Sequence, residues 1–254
     1  MVDFPLKLIF LGLFSFFYYT FSYGQLIDSN RVKPYNKVFV ETDDFGDSYL
    51  EYLEQGFDTV ENDSIQFSIL NDLAYYWHTR NLNTALDFIR KGLQLTKSKE
   101  NVLWEGRFQM TQGAILLRME KLDSAQIVLQ LAKTKVLPSD LPFLNTQLGY
   151  VYERRGQLDR AADYAMSSLE IGEKLNDVKA KAMAYSDLSN LFWKQSKFES
   201  GLEYALKSLA FFNIWGITDL DYGFTLYITG NNYLALKDYE NALDYYKKSI
   251  EVGE

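Results

Sequence analysis

The chain carries few residues that are equipped for catalysis. His78 is the only histidine, and there is no cysteine. This composition excludes disulfides, thiolate metal sites and catalytic thiols, and it weakens the case for imidazole chemistry. Asp43, Asp44 and Asp47 surround Gly46 as in a calcium loop, but the alternating oxygen donors and terminal Glu of such a loop are missing. We interpret these aspartates as a cap for the helix that follows.

No catalytic motif appears elsewhere in the sequence. There is no phosphate-binding glycine loop, no serine elbow, no paired histidines and no dinucleotide fingerprint. Two carboxylates can serve a glycosidase, but 34 acidic residues make coincidental pairs unavoidable. We therefore predict that the protein is not an enzyme and that it uses no cofactor and no metal.

Composition indicates a folded protein with an acidic surface. The chain has 254 residues, of which 47% are hydrophobic and 24% are charged, and its formal net charge is −8. Nucleic-acid affinity depends on clustered lysine and arginine, so we predict no nucleic-acid partner for this segment.

The N-terminus has the features of an exported protein. Residues 8–21 are uncharged, follow Lys7, and precede small residues at the two positions that a signal peptidase reads. We predict a signal peptide at 1–24 and a linker or arm at 25–45. The alternative is an uncleaved membrane anchor. Both interpretations predict an exported protein that is periplasmic or membrane-associated.

A repeated pattern of small and large residues predicts the fold. Five copies begin at Leu73, Gln112, Leu148, Leu188 and Thr229. Each has a small residue in its first half, at Ala74, Gly113, Gly149, Ser189 and Gly230. Each has another in its second half, at Ala85, Ala125, Ala161, Gly201 and Ala242. Helices approach closely only where side chains are small, so the pairs predict antiparallel helical hairpins.

The pattern resembles the tetratricopeptide repeat, including its third small position, here Gly92, Ala132, Ser168, Ser208 and Ser249. The resemblance implies an all-α, right-handed α-solenoid of about five antiparallel repeats over 63–254. A helix within 46–62 would cap its start. The sequence departs from the family in period, because the second small residues are 36 to 41 residues apart instead of about 34. This difference affects the curvature that we expect and leaves the fold class unchanged.

The resemblance also implies a binding groove on the first helices of the repeats. Family geometry places ten residues there: Asn71, Tyr75, Arg107, Arg118, Tyr150, Arg154, Asn190, Trp193, Tyr227 and Asn231. Aromatic, arginine and asparagine side chains suit recognition of a protein or peptide segment. Packing between repeats is the alternative role for the tyrosines, and a solvated face for the arginines. The lysine and asparagine pattern with which some members hold a C-terminal carboxylate is not reproduced.

The last helix, near residues 239–252, presents Tyr246 and Ile250 on a face that a further element would cover. We expect the array to be truncated at its C-terminal end, or a partner or second copy to supply the cover. The function that we predict is a protein-interaction scaffold. The alternative is the extracytoplasmic sensory region of a larger histidine kinase or transcriptional regulator, as in Bacteroidetes-type bacteria. The sequence predicts membrane contact only through the N-terminal segment or a missing C-terminal region.

Overall fold

The computed structural model describes Leu53, Phe57 and residues 60–216 and 218–253. From residue 63 onward, the described residues contain ten α-helices, one 3-10 turn at Pro138–Asp140 and no strand. In chain order the helices are α1 Asp63–Trp77, α2 Leu82–Ser98, α3 Val102–Arg118, α4 Leu122–Lys133, α5 Leu141–Arg154, α6 Leu158–Lys174, α7 Val178–Lys194, α8 Phe198–Trp215, α9 Leu220–Ala235 and α10 Tyr239–Gly253.

The ten helices form five antiparallel hairpins, α1–α2 to α9–α10, and each hairpin packs on the next. In the described residues, every extensive contact between helices that are not sequence neighbours joins two first helices, such as α1 with α3 or α7 with α9. First helices therefore lie closer together than second helices, and they line the concave side of the array. The all-α solenoid predicted from the repeats is confirmed.

The small residues lie where helices meet, as predicted. Those of the first and second sets are all buried. In three hairpins the third position is a serine whose Oγ donates to a carbonyl oxygen 26 residues earlier, on the first helix of the same hairpin. In the first hairpin this position is Gly92, and a Cβ there would overlap the ring of Phe108 on α3. Small side chains thus set the distance between helices both within and between hairpins.

The turns inside the last four hairpins share one geometry. Each contains a residue with positive φ, namely Glu120, Gly156, Ser196 or Lys237. The amide after that residue donates to a carbonyl five residues earlier, as in the bond from Lys121 N to Leu116 O at 2.9 Å. This Schellman motif satisfies carbonyls at the end of the first helix. Only one of the four positive-φ residues is glycine, so the motif was not evident from glycine placement.

The core is a series of apolar clusters between neighbouring hairpins. A further cluster joins Leu53 to Ile69 and Leu73 on α1, with Phe57 packed against it. Leu53 is helical and 3% exposed, so a residue of the predicted 46–62 cap contacts the first hairpin. The boundaries of that cap, and the predicted segments 1–24 and 25–45, lie outside the described residues.

Candidate functional site

Four of the predicted groove residues are buried, and Asn71 and Arg107 are the most completely covered. Asn71 on α1 is 0% exposed, and its Oδ1 accepts a hydrogen bond of 2.7 Å from Thr111 Oγ1 on α3. Residues at the same repeat position in the next three hairpins, Met110, Thr146 and Ser186, are also buried. The assignment of Asn71 to an accessible groove is therefore wrong, because the next first helix covers that position.

Arg107, at 2% exposed, is buried as well. Its Nε and Nη2 donate to the two carboxylate oxygens of Asp140 at 3.1 and 3.2 Å. Asp140 Oδ2 also accepts from Leu137 N at 3.2 Å, and the guanidinium lies over the Trp104 ring. Arg107 therefore anchors the connection between the second and third hairpins, and its assignment to an accessible groove is also wrong.

The asparagines on the last two first helices, Asn190 and Asn231, are also buried, each 8% exposed. Asn190 Nδ2 donates to Glu153 Oε1 on α5 at 3.2 Å. Asn231 Oδ1 accepts from the Tyr246 hydroxyl at 2.8 Å. Both side chains are held by neighbouring helices, and only a small part of each faces solvent.

The remaining six predicted residues reach the surface. Arg118, Arg154 and Tyr227 are exposed, and Tyr75, Tyr150 and Trp193 are half-buried. Arg118, Arg154 and the exposed Lys194 each lie five residues after the small residue of a first helix, so they form a row along consecutive hairpins. Arg154 pairs with Glu120, and Lys194 with Glu153. We call the three cations the basic row.

A buried carboxyl group lies between α5 and α7. It was not among the site residues predicted from the sequence. Asp187 is 6% exposed, and its two oxygens accept from Thr146 Oγ1 at 3.2 Å and the Tyr150 hydroxyl at 3.0 Å. Burial raises the pKa of Asp187 to about 8, and the nearby Glu153 and Asp221 carboxylates act in the same direction. Burial, with the Asp187 charge, raises the pKa of Tyr150 as well. One sign of this buried group was present in the sequence: Asp187 is the single charged residue in the stretch 182–193 of α7.

His78 lies at the end of α1 and is buried. Its ring stacks on Tyr75 with centroids 4.2 Å apart, and its Nδ1 lies against the Tyr75 carbonyl. Burial, followed by the Arg118 charge, lowers the pKa of His78 to about 4. The imidazole is therefore neutral near pH 7, and it contributes packing and no positive charge to this end of the concave face.

The described residues include no group of three histidine, aspartate or glutamate side chains arranged to hold a metal ion. Within the same part of the chain, no helix has the length and apolar content needed to cross a membrane.

The architecture defines a helical-hairpin solenoid of the tetratricopeptide type. Residues 225–252, which span most of α9 and α10, match the family model described as "Tetratricopeptide repeat". Among solved structures, BtubC (BKLC) from P. vanneervenii is 15% identical with a TM-score of 0.60, covering 80% of this chain and 86% of that one. A Rap protein complexed with Competence and Sporulation Factor is 14% identical with a TM-score of 0.61, covering 81% and 69% respectively.

The family model thus covers one hairpin, and the helical solenoid fold is shared with both solved structures. At such identities the two structures show likeness of fold alone. Among proteins with curated functions, none is similar enough in sequence to count as a relative.

Proposed function

We propose that the protein is a non-enzymatic scaffold that binds a protein or peptide segment along its concave face. The observation that carries this proposal is a set of half-buried aromatic side chains on the first helices, namely Tyr75, Tyr150 and Trp193. Tyr150 is fixed by its hydrogen bond to Asp187, and Trp193 lies on α7 three residues from the buried Asn190. Large aromatic side chains held in place lose little entropy on binding and are enriched at interaction hot spots.

The basic row gives this face a second feature for recognition. Arg118, Arg154 and Lys194 follow one edge of the concave side, each near the C-terminal end of its helix. Arginine binds carboxylates and backbone carbonyls through several donors at once. The exposed pair of Arg154 with Glu120 is weak enough to exchange partners at low energetic cost. Glu153 is half-buried and also accepts from Asn190, so it holds Lys194 more firmly. A segment with apolar side chains toward the tyrosines and acidic groups toward the row would suit this surface.

The structure of the similar Rap protein supports the proposal because it contains a bound partner. That structure is a complex with Competence and Sporulation Factor, so a solenoid of this architecture is compatible with binding a partner. The identity of 14% gives no reason to expect the same ligand here.

Selection from a peptide library tests the proposal and does not require the natural partner to be identified. A library of random peptides displayed on phage is selected against the full chain, and the affinities of the enriched peptides are measured by titration. We expect Trp193→Ala to weaken binding by about 10-fold or more, as removal of an interface hot spot does. Leu206→Ala is the matched control, because Leu206 is 41% exposed on a second helix, α8. Failure to enrich any peptide, or equal sensitivity of binding to both substitutions, would reject the concave face as the binding site.

We also propose that the chain acts outside the cytoplasm, on the basis of the uncharged segment 8–21 after Lys7. Export is a prediction from sequence, and so is the alternative role as the sensory region of a signalling protein. Cell fractionation of the tagged full chain, with protease accessibility in intact spheroplasts, checks the location. Recovery of the full-length protein in the cytoplasmic fraction would contradict export.

A further inference from the structure

The last hairpin presents an apolar stripe on α10. Tyr239, Leu243 and Ile250 are 64%, 55% and 62% exposed, and Tyr246 is half-buried. The four lie at spacings of four, three and four residues, so they share one face of the helix. Exposed apolar side chains scattered singly are ordinary, but a continuous stripe marks a contact surface.

Equivalent residues elsewhere in the array are covered by a helix. Tyr246 corresponds to Ala165 and Ala205, which are 3% and 0% exposed, while Ile250 corresponds to Leu209 at 8%. Tyr227 on α9 belongs to the same open surface, because its counterparts in the other four hairpins are all buried. The stripe is therefore the stacking face of a hairpin, and the occupant that fits it is another helix.

We propose that the occupant is α10 of a second copy of this chain, packed antiparallel about a twofold axis. In this arrangement Tyr239 would face Ile250 of the other copy, and Leu243 would face Tyr246. The charged residues beside the stripe are the reason for proposing a second copy as the partner and an antiparallel direction for its helix. Glu240 and Lys247, both exposed, lie seven residues apart on the solvent side of the stripe.

Antiparallel packing with that register brings Glu240 of each copy beside Lys247 of the other. In coiled coils, oppositely charged residues that flank the apolar seam form salt bridges between helices in the same way. In a parallel arrangement, these flanking positions of the two copies would lie on opposite sides of the interface, so Glu240 and Lys247 would not meet. Asp244 and Lys248 pair with each other within the helix at 2.6 Å, so their charges are balanced inside one copy. The arrangement is isologous and closes on itself as a dimer.

Charge reversal tests both the partner and the direction. Sedimentation velocity of the full chain over about 1 to 200 µM measures dimerisation, since a short interface gives a weak, reversible dimer. Glu240→Lys alone and Lys247→Glu alone each turn two attractive pairs into two repulsive ones, and we expect about 10-fold weaker dimerisation from each. The double variant restores both pairs and is expected to recover the affinity of the original chain. A chain that is monomeric throughout, or a dimer insensitive to the single reversals, would overturn the proposal.

The absence of cysteine permits a second test. Chains with Tyr239→Cys are mixed with chains carrying Ile250→Cys and treated with a short bismaleimide, because like positions of this pair would stand about 16 Å apart along the axis in the antiparallel arrangement. Antiparallel packing predicts cross-linking in the mixture and little in either variant alone. Cross-linking of each variant with itself at the same yield as the mixture would show that the direction is wrong.

Discussion

Replacing Gly92 with alanine tests how closely the first two hairpins pack. A Cβ on Gly92 would overlap the Phe108 ring and stand 2.7 Å from its Cδ1. Phe108 is 0% exposed and packs against the rings of Phe67 and Trp104, with centroids 6.4 and 6.0 Å away. The ring has no space into which it can withdraw, so α2 and α3 must separate. Overpacking of this kind costs about 1–3 kcal/mol.

Gly149→Ala is the matched control, because a Cβ there would meet its nearest atoms at 3.6 Å, an ordinary contact. Both glycines are inside helices, so both substitutions gain about 1 kcal/mol of helix propensity. That gain cancels when the two variants are compared, which leaves a difference of about 1–3 kcal/mol in the free energy of unfolding. Gly149→Ala is expected to be more stable than the original chain.

Thermal unfolding followed by circular dichroism measures this difference. For a chain of this size, 1 kcal/mol moves Tm by about 2–4 °C, so Gly92→Ala should melt about 2–12 °C below Gly149→Ala. Equal melting temperatures for the two variants would refute the close contact between α2 and Phe108.

Three further substitutions address the buried contacts. Asp140→Ala leaves the Arg107 guanidinium buried without its carboxylate, and we expect a loss of about 3–5 kcal/mol in urea unfolding; a loss below about 1 kcal/mol would contradict the buried pair. Ala161→Leu, at a position 1% exposed, should cost about 1–3 kcal/mol in the same assay, and an unchanged urea midpoint would show that the repeat register is wrong. Asp187 has a folded pKa of about 8 against about 3.9 when unfolded, so burial favours its neutral form and the stability that it contributes falls as pH rises from about 4 to about 8. Asp187→Asn should remove that fall, and urea midpoints at pH 5 and pH 8 that change equally in the variant and the original chain would contradict it.

The fold was predictable from the sequence because its determinant is local and repeated. A small residue such as Gly149 or Ala161 is required wherever two helices of a hairpin meet, and five copies of that requirement leave a visible pattern. The turns were harder to predict. Glu120, Ser196 and Lys237 adopt the left-handed conformation, and their residue types carry no sign of it.

The candidate site was predictable only in part, because burial on the first helices depends on the neighbouring hairpin. Family geometry placed Asn71 and Arg107 at the surface, but Thr111 and Asp140 cover them with hydrogen bonds across 40 and 33 residues of sequence. Asp187 was missed for the same reason, since its partners Thr146 and Tyr150 lie on another hairpin. The residue pattern of one repeat does not show which side chains of the next repeat will contact it.

Hydrogen–deuterium exchange shows which helices a bound peptide protects, with a peptide selected from the random library as the probe. We expect the peptide to slow exchange in the first helices α5 and α7 and to leave exchange in the second helices of the same hairpins, α6 and α8, unchanged. Protection confined to α6 and α8 would contradict binding on the concave face.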